Sequence, residues 1–344
     1  MKALDTTAPA PAVSVLMAVY NGEKFLEAAV RSVLAQTFAD FEMVIVDDGS
    51  SDGSRAILGR LASEDARIQL EFQTNRGITP TANRLVGLAR GQFLSQLDHD
   101  DEMLPGCLAA ETAHMRAHPE CVALGVLECR IDGAGRVISR RRKFGTYFAP
   151  FSRRTLDARS FPPKMPFISN PASMIRASAM RGVGGYRETF AFANDNDLWF
   201  RLAEVGEIHQ LNQMLLRYRR HGGNATMTRH QTIMLYDIIA HLSAAARAFG
   251  LDDAAALARF RGPGDFREAA AAYRALLGAR YPVETFVHYR AVRSNLPLAV
   301  EANSYPEVLS KAFAHARTLP MGLPKLHLLR RTMRRSNPLS LRRN

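Results

Sequence analysis

The sequence predicts an α/β fold, a mostly parallel sheet flanked by helices with a helical extension at its C-terminal end, and three observations carry it. Strand-like and helix-like segments alternate over residues 13–100, the pattern of a parallel sheet with crossover helices. Val13–Val19 and Phe41–Val46 are short, nearly continuous apolar runs, as strands covered on both faces require. Beyond about residue 228 the chain turns alanine-rich, at Ala244–Ala246, Ala254–Ala256 and Ala269–Ala272, and reads as helix.

The elements follow in order. Val13–Val19 suits a central strand, and the turn signal Asn21-Gly22 precedes Leu26, Ala29, Val30, Val33 and Leu34, spaced for one helix face. Phe41–Val46 is a second buried strand, closed by Asp47-Asp48-Gly49-Ser50-Ser51-Asp52-Gly53, rich in turn and capping residues. Ile57, Leu58 and Leu61 mark the next helix, and Ile68, Leu70 and Phe72 alternate as a half-buried strand. Thr79-Pro80 reads as an N-cap followed by proline at the first helical position, with Ala82, Leu85, Val86 and Ala89 as the buried face and Gly91 as the stop. Phe93–Leu97 is a further strand that ends in Asp98-His99-Asp100-Asp101, and Pro105–His118 is a helix. Val122–Leu127 is a strand, and Asp132-Gly133 turns a hairpin between Glu128–Ile131 and Arg136–Ser139. Residues 140–170, with Pro162-Pro163, read as a loop, and Asp195–Val205 as a helix with Leu198, Leu202 and Val205 on one side. The expected divisions are 12–227 for the sheet domain, 228–324 for the helical region and 325–344 for a basic tail.

The 344 residues are 47% hydrophobic and 23% charged, which argues against wholesale disorder and fibrous repeats. Three cysteines without a C-x-x-C pair exclude a disulfide framework and a zinc finger, and fit a reducing, cytoplasmic setting. No apolar run reaches the roughly 18–20 residues that span a bilayer. The formal charge is +12, and the excess is localised: seven Lys/Arg and no acid from Lys325 to the end, nine against one from Arg136 to Lys164. Such blocks suit polyanions, or form solvated arms with no specific partner. Leu326, Leu328, Leu329 and Met333 among the tail arginines point to an interfacial helix on an anionic membrane, cut short by Pro338. Nucleic acid is disfavoured, because the basic runs lack interleaved aromatics and a recognisable module.

In open α/β sheets ligands bind beyond the carboxyl ends of the strands, and the chemistry-bearing residues collect at those ends: Tyr20 after the first strand, Asp47 and Asp48 after the second, Asp98 and Asp100 after the fourth. Asp98 and Asp100, two apart, point to the same side of an extended segment, where like charges are unfavourable without a cation or proton between them. Oxygen ligands of this kind suit Mg²⁺ or Mn²⁺; the alternative is an acidic, solvated turn. Asp47 and Asp48 are either turn formers and caps, or acceptors for a ligand N–H such as the imide of uracil. Tyr20 either packs at a strand end or stacks on a base.

Taken in order, several blocks resemble the family 2 glycosyltransferases, inverting enzymes of the GT-A, Rossmann-like fold, over roughly residues 12–225. They are Ser14-Val15-Leu16-Met17-Ala18-Val19-Tyr20-Asn21-Gly22, Val44 to Asp52, Asn75-Arg76-Gly77-Ile78, Asn83, Gly91, Leu97 to Asp101, Gly182 to Glu188 and Asn194 to Leu202. The resemblance implies a nucleotide-diphosphosugar donor with Asp48, helped by Asp47, on the base and Tyr20 beside it. It implies Asp98 towards the ribose, Asp100 holding Mg²⁺ or Mn²⁺ on the diphosphate, and Asp195 as general base, for which a helix N-cap role is the alternative. Asn194 stands where the family usually has Glu, which puts an amide at the acceptor contact. In Arg217 to Asn224 the basic side chains, Arg219 among them, would close over the diphosphate, with His221 as a metal or phosphate contact. The expectation is an inverting, hexosyltransferase-type enzyme using a UDP-sugar and a glycan or lipid-linked acceptor in cell-envelope polysaccharide synthesis, cytoplasmic and peripheral on the inner membrane face. The alternative is a non-catalytic protein of this fold that binds anionic membrane or nucleotide. A nucleotidyltransferase is disfavoured, because Asn21-Gly22 is too short for its glycine-rich phosphate loop.

Overall fold

A computed structural model describes residues 9–140, 168–284, 286, 287 and 290. Its strands are β1 (Val13–Val19), β2 (Phe41–Asp48), β3 (Ile68–Gln73), β4 (Phe93–Gln96), β5 (Glu102–Met103), β6 (Cys121–Ile131), β7 (Val137–Arg140), β8 (Ser173–Arg176) and β9 (Glu207–Arg219). Among the described residues they form one nine-stranded sheet, ordered β3-β2-β1-β4-β8-β6-β9-β5, with β7 paired to β6. The β3-β2-β1-β4 half is parallel. β8 then runs antiparallel to β4 and β6, β6 and β9 are parallel, and β5 is antiparallel to β9.

The helices are α1 (Leu26–Leu34), α2 (Ser54–Glu64), α3 (Ile78–Leu88), α4 (Cys107–Ala117), α5 (Ala177–Gly182), α6 (Asn194–Val205), α7 (Ala225–Thr228), α8 (His230–Ala248), α9 (Ala254–Leu257) and α10 (Phe266–Leu277). Alternation along β1 sends Val13, Val15, Met17 and Val19 to one face, against Ala29, Val30 and Val33 of α1, Leu58 and Leu61 of α2 and Leu108 and Met115 of α4. Leu16 faces the other way, with Val44 and Val46 of β2, onto Leu85 and Val86 of α3 and Leu198, Trp199 and Leu202 of α6. Helices on both faces are why these strands read as unbroken apolar runs. Each fully buried Leu, Val or Met here contributes about 1.5–3 kcal/mol, and Trp199→Ala in this layer costs roughly 3–5 kcal/mol.

A third cluster joins α8 and α10 through Ile238, Ile239, Leu242, Phe266, Tyr273 and Leu277, and takes in Phe190 and Ala193 from the segment before α6. Packing is therefore continuous across residue 228. No helix among the described residues is long and apolar enough to cross a membrane.

The structure departs from the sequence expectations in several places, the short β5 and α5 among them. The segments 122–127 and 128–131 are one strand, β6, with register irregularities against β9. β8 and the 13-residue β9 were not anticipated; β9 is only partly buried, so its polar residues break the alternation that marks a strand. Helix α3 starts at Ile78, one residue before the expected cap, behind Gly77 at φ +90°, a backbone glycine adopts readily; the Thr79 hydroxyl instead donates to the Phe190 carbonyl. Most of the basic block 136–164, Pro162-Pro163 and the tail 325–344 lie outside the described residues.

Candidate functional site

The site is built on loops at the carboxyl ends of β1, β2 and β4. The β1–α1 turn is stitched to the β2–α2 turn: the Asn21 N–H donates to Ser50 Oγ (2.9 Å), the Gly22 N–H to Ser54 Oγ (2.9 Å), and Asn21 Oδ1 accepts from the Ser51 N–H (2.8 Å). Asn21 adopts φ +52°, which asparagine tolerates in turns. Tyr20, half exposed, stands at the rim. Gly22 lies against the D-x-D loop so closely that a Cβ there would meet His99 Cδ2 at 2.5 Å, so the first loop touches the fourth only because position 22 has no side chain.

Asp47 and Asp48 are both buried, and they work differently. Asp47 Oδ1 accepts from the Ser50 N–H (3.1 Å) and Arg55 Nε (3.0 Å), while its Oδ2 is buried with no partner. Asp48 Oδ1 accepts from Gln73 Nε2 (2.7 Å) and the Arg76 N–H (2.7 Å), and Oδ2 from the Gly77 N–H (2.9 Å). A carboxylate has about four lone-pair sites, so one site on Asp48 Oδ2 remains for a ligand donor. Asp48 therefore fixes the 73–77 loop and keeps one acceptor position.

After β4 the carboxylates crowd. Oxygens of Asp98, Asp100 and Asp101 lie within 4.8 Å of one another. Asp98 is open to solvent on one side with protein closed around the rest. Its pKa is pushed up to about 7, chiefly by this enclosure and further by the charges of Asp100 and Asp195. Asp101 is buried; its carboxyl is raised by desolvation, then by Asp100 and Asp98, and its Oδ2 has no partner. Crowded carboxylates with an orphaned oxygen fit a hard divalent cation: Asp98, Asp100 and Asp101 are the residues that would hold it.

The far end of β9 closes this group. Asp100 Oδ2 accepts from His221 Nε2 (2.9 Å) and Asn224 Nδ2 (3.0 Å). His221 Nδ1 accepts from the Gly223 N–H (3.2 Å), which assigns the ring proton to Nε2 in the neutral tautomer. The Arg219 N–H donates to Asp101 Oδ1 (2.7 Å). Arg219 does not reach into the crevice. Its guanidinium is buried, paired with Glu102, and donates to the carbonyls of Asp100 (2.9 Å) and Asp132 (3.2 Å), over the Phe25 ring at 4.7 Å. The expected phosphate contact is corrected on this point: the three guanidinium nitrogens are used in fastening β9 to the D-x-D loop, to β5 and to the turn after β6.

Asp195 arrives from α6. Its charge is felt at Asp98, as is that of Asp100. Asp48 ends β2, whose parallel pairing with β1, itself parallel to β4, sets it at the same edge of the sheet. Asp195 is not the N-cap: that position is Ala193, at φ +51°. The Asn194 side chain receives the Asp195 N–H (3.0 Å) and donates to Thr79 Oγ1 (3.2 Å), so the amide braces the helix start. Asp195 Oδ1 accepts from the Asn196 N–H (2.9 Å), and desolvation raises its pKa above the usual carboxylate value. Asp197, two residues on, is wholly buried between Arg187 and Arg201, a structural ion pair.

Two residues escaped sequence reasoning. Tyr186 is buried, and burial followed by the charges of Asp195 and Asp98 pushes its phenol upward; Tyr218, pushed up to about 12 by burial, also senses Asp101, Asp98 and Asp100. Both fall in segments matched by motif, but nothing local distinguishes them from core tyrosines.

The model of the family described as glycosyl transferase family 2 matches residues 14–184. Chondroitin synthase of Escherichia coli is 30% identical over 217 residues, 63% of this chain and 30% of that protein. Hyaluronan synthase of Pasteurella multocida is 26% identical over 217 residues, 63% of this chain and 21% of that protein. The chain thus spans less than a third of the length of these two synthases. Among solved structures, S. aureus TarS 1–349 in complex with UDP-GlcNAc superposes with a TM-score of 0.58 at 16% identity, covering 82% of this chain and 88% of that one. The mannosyltransferase PcManGT from Pyrobaculum calidifontis, in complex with GDP-Man and Mn²⁺, does so with 0.53 at 16% identity, covering 94% and 84%. At such identities the likeness is one of fold.

Proposed function

The chain belongs to glycosyl transferase family 2 through residues 14–184 and has the GT-A fold, and from that premise we propose that it is an inverting glycosyltransferase acting from a nucleotide-diphosphosugar, UDP-linked in the first instance, onto a hydroxyl of a glycan or lipid-linked acceptor. The observation that carries the proposal is the crowding of the crevice: the oxygens of Asp98, Asp100 and Asp101 lie within 4.8 Å of one another, and the Asp98 carboxyl is driven upward by enclosure first and then by the charges of Asp100 and Asp195, a strain that a dication and a polar substrate would relieve.

In this reading the base lies between Tyr20 and the Asp47–Asp48 turn, its imide N–H on the free Asp48 site. The UDP-GlcNAc complex of TarS and the GDP-Man and Mn²⁺ complex of PcManGT, on the same fold, support a nucleotide sugar here. When bound, Mg²⁺ or Mn²⁺ supplies Lewis-acid neutralisation of the diphosphate leaving group. Asp100 is steadied for that contact by His221 and Asn224. Asp195 takes the proton of the acceptor hydroxyl through Oδ2; its raised pKa makes it a stronger base than an exposed aspartate, and a positioned base is worth about 10²–10⁴ in rate. Attack on the anomeric carbon from the face opposite the diphosphate inverts its configuration. Asn194, braced between Asp195 and Thr79, borders the acceptor side. The basic tail, Lys325 to Asn344, would dock on anionic membrane at the cytoplasmic face.

The test screens nucleotide sugars with purified protein, reading release of nucleoside diphosphate. Asp195→Asn should lower transfer by roughly 10²–10⁴ with nucleotide affinity near wild type, and Asp100→Ala should abolish the Mn²⁺ dependence of UDP binding. Equal loss of binding and turnover in Asp195→Asn would make the residue structural. UDP affinity identical in EDTA and Mn²⁺ would refute the metal role, and nucleotide binding without turnover of any donor would favour the non-catalytic alternative.

A further inference from the structure

At the opposite end of β9 from the crevice lies a second group of ligating side chains. His209 is the third residue of β9, and Arg219 ends it; ten residues at about 3.3 Å each separate the two groups by roughly 30 Å. Around His209 gather His114, one turn from the C-terminus of α4, and Cys121, the first residue of β6. One ligand atom of each lies within 4.8 Å of the other two. The Cys121 thiol is reduced and wholly buried, and His209 is 8% exposed. We propose that His114, Cys121 and His209 form a binding site for one Zn²⁺-class transition-metal ion, remote from the catalytic crevice, that staples α4 to the starts of β6 and β9.

The orientation of the rings carries the argument. His209 Nε2 is hydrogen-bonded to Glu207 Oε2 at 3.0 Å, a carboxylate partner that places the ring proton on Nε2. That leaves the lone pair on Nδ1, which faces His114 Nε2 at 2.8 Å. Metal-ligating histidines characteristically give their other ring nitrogen to a carboxylate in this way. His118 stacks on His114 at 4.3 Å between ring centroids, and bonds Glu120 through Nδ1 (2.9 Å), so the flanking ring is held aside by its own carboxylate. Two imidazole nitrogens on a tetrahedral ion at about 2.0–2.1 Å stand roughly 3.3 Å apart. The His114–His209 pair must therefore open by about half an ångström as the ion takes the place of the shared proton. Binding moves the His114 ring proton from Nε2 to Nδ1 and releases the Cys121 thiol proton to solvent, one proton for each ion. Water fills the fourth position on the side of half-buried His114.

Donor chemistry separates the two sites. Two imidazoles and a thiolate favour Zn²⁺ over Mg²⁺ or Mn²⁺, while the all-oxygen set at Asp98, Asp100 and Asp101 has the reverse preference. The full-length chain, stripped with chelator, is titrated with Zn²⁺ against a chromophoric competitor and with Co²⁺ by absorption spectroscopy. In the Asp98→Asn/Asp100→Asn background, which removes the oxygen site, one equivalent of Zn²⁺ should still bind. His114→Gln/His209→Gln should weaken it by at least about 100-fold, and Glu207→Gln by roughly 10–100-fold through loss of ring orientation. The Co²⁺ adduct should show a thiolate-to-cobalt charge-transfer band that Cys121→Ser removes. UDP binding in Mn²⁺ should be unchanged in the histidine variants, which verifies their fold; if the double variant does not fold, Cys121→Ser and Glu207→Gln carry the test. Zn²⁺ affinity unchanged by these substitutions, no uptake by the wild-type chain in tenfold excess of Zn²⁺, or a Co²⁺ spectrum without the band would overturn the proposal.

Discussion

Replacing Asp98 by Asn should stabilise the metal-free protein at alkaline pH. The Asp98 carboxyl rises from 3.8 to about 7, through enclosure first and then through Asp100 and Asp195. A gap of about 3 at ~1.4 kcal/mol each sets a ceiling near 4 kcal/mol on the cost of holding the ionised form in the fold. Asp98 is open to solvent on one side, and screening reduces this to about 1–2 kcal/mol. The sign follows from linkage. With the folded value above the unfolded one, the unfolded chain releases its proton first as pH rises. Asp98 thus costs nothing below about pH 4, progressively more between 4 and 7, and its full amount above 7. Urea denaturation in EDTA, followed through the fluorescence of buried Trp199, should therefore find Asp98→Asn more stable than wild type by about 1–2 kcal/mol near pH 8 and indistinguishable near pH 4. Saturating Mn²⁺ should restore the advantage to the wild type, because the ion binds only the folded carboxylates. An Asn variant no more stable near pH 8, or more stable by the same amount at both pH values, would refute the repulsion on which the proposed metal site rests.

Other outcomes test the scaffold of the site. Arg219→Ala should cost roughly 1–3 kcal/mol in urea denaturation, because it takes one of two arginine partners from partly buried Glu102 and the donor from the Asp100 and Asp132 carbonyls; an unchanged midpoint would return the guanidinium to a substrate role. Gly22→Ala forces His99 away from a Cβ at 2.5 Å, and should weaken UDP binding in Mn²⁺ by about tenfold, or ~1.4 kcal/mol, as the D-x-D loop shifts; calorimetry with wild-type affinity would show that the loop absorbs the contact freely. Truncation after Leu323 should release the protein from anionic liposomes at low salt, and unchanged co-sedimentation would remove the tail from membrane docking.

Much of the fold was readable because its signals are local. Val13–Val19, Phe41–Val46 and Phe93–Leu97 announce themselves by composition and length, and the acids that follow them sit at strand ends by chain connectivity alone. Asp195 could be picked out only through the ordered motifs, since an acid in a first helical turn is also an ordinary cap. β8 and β9 went unseen: β8 is four residues long, and β9 is half exposed and mixes polar with apolar residues, so neither imposes a period.

Periodicity along the chain thus established an α/β architecture and which carboxylates follow the carboxyl ends of its strands, because dihedral preference and burial pattern are properties of neighbouring residues. Sheet order was the business of the folded molecule. Laying β9 beside β6 brings His221 and Asn224 to Asp100 across more than a hundred residues, turns Arg219 inward to Glu102, and sets His209 beside His114 and Cys121. Such pairings depend on how the whole apolar surface is buried at once, and no stretch of sequence contains that sum.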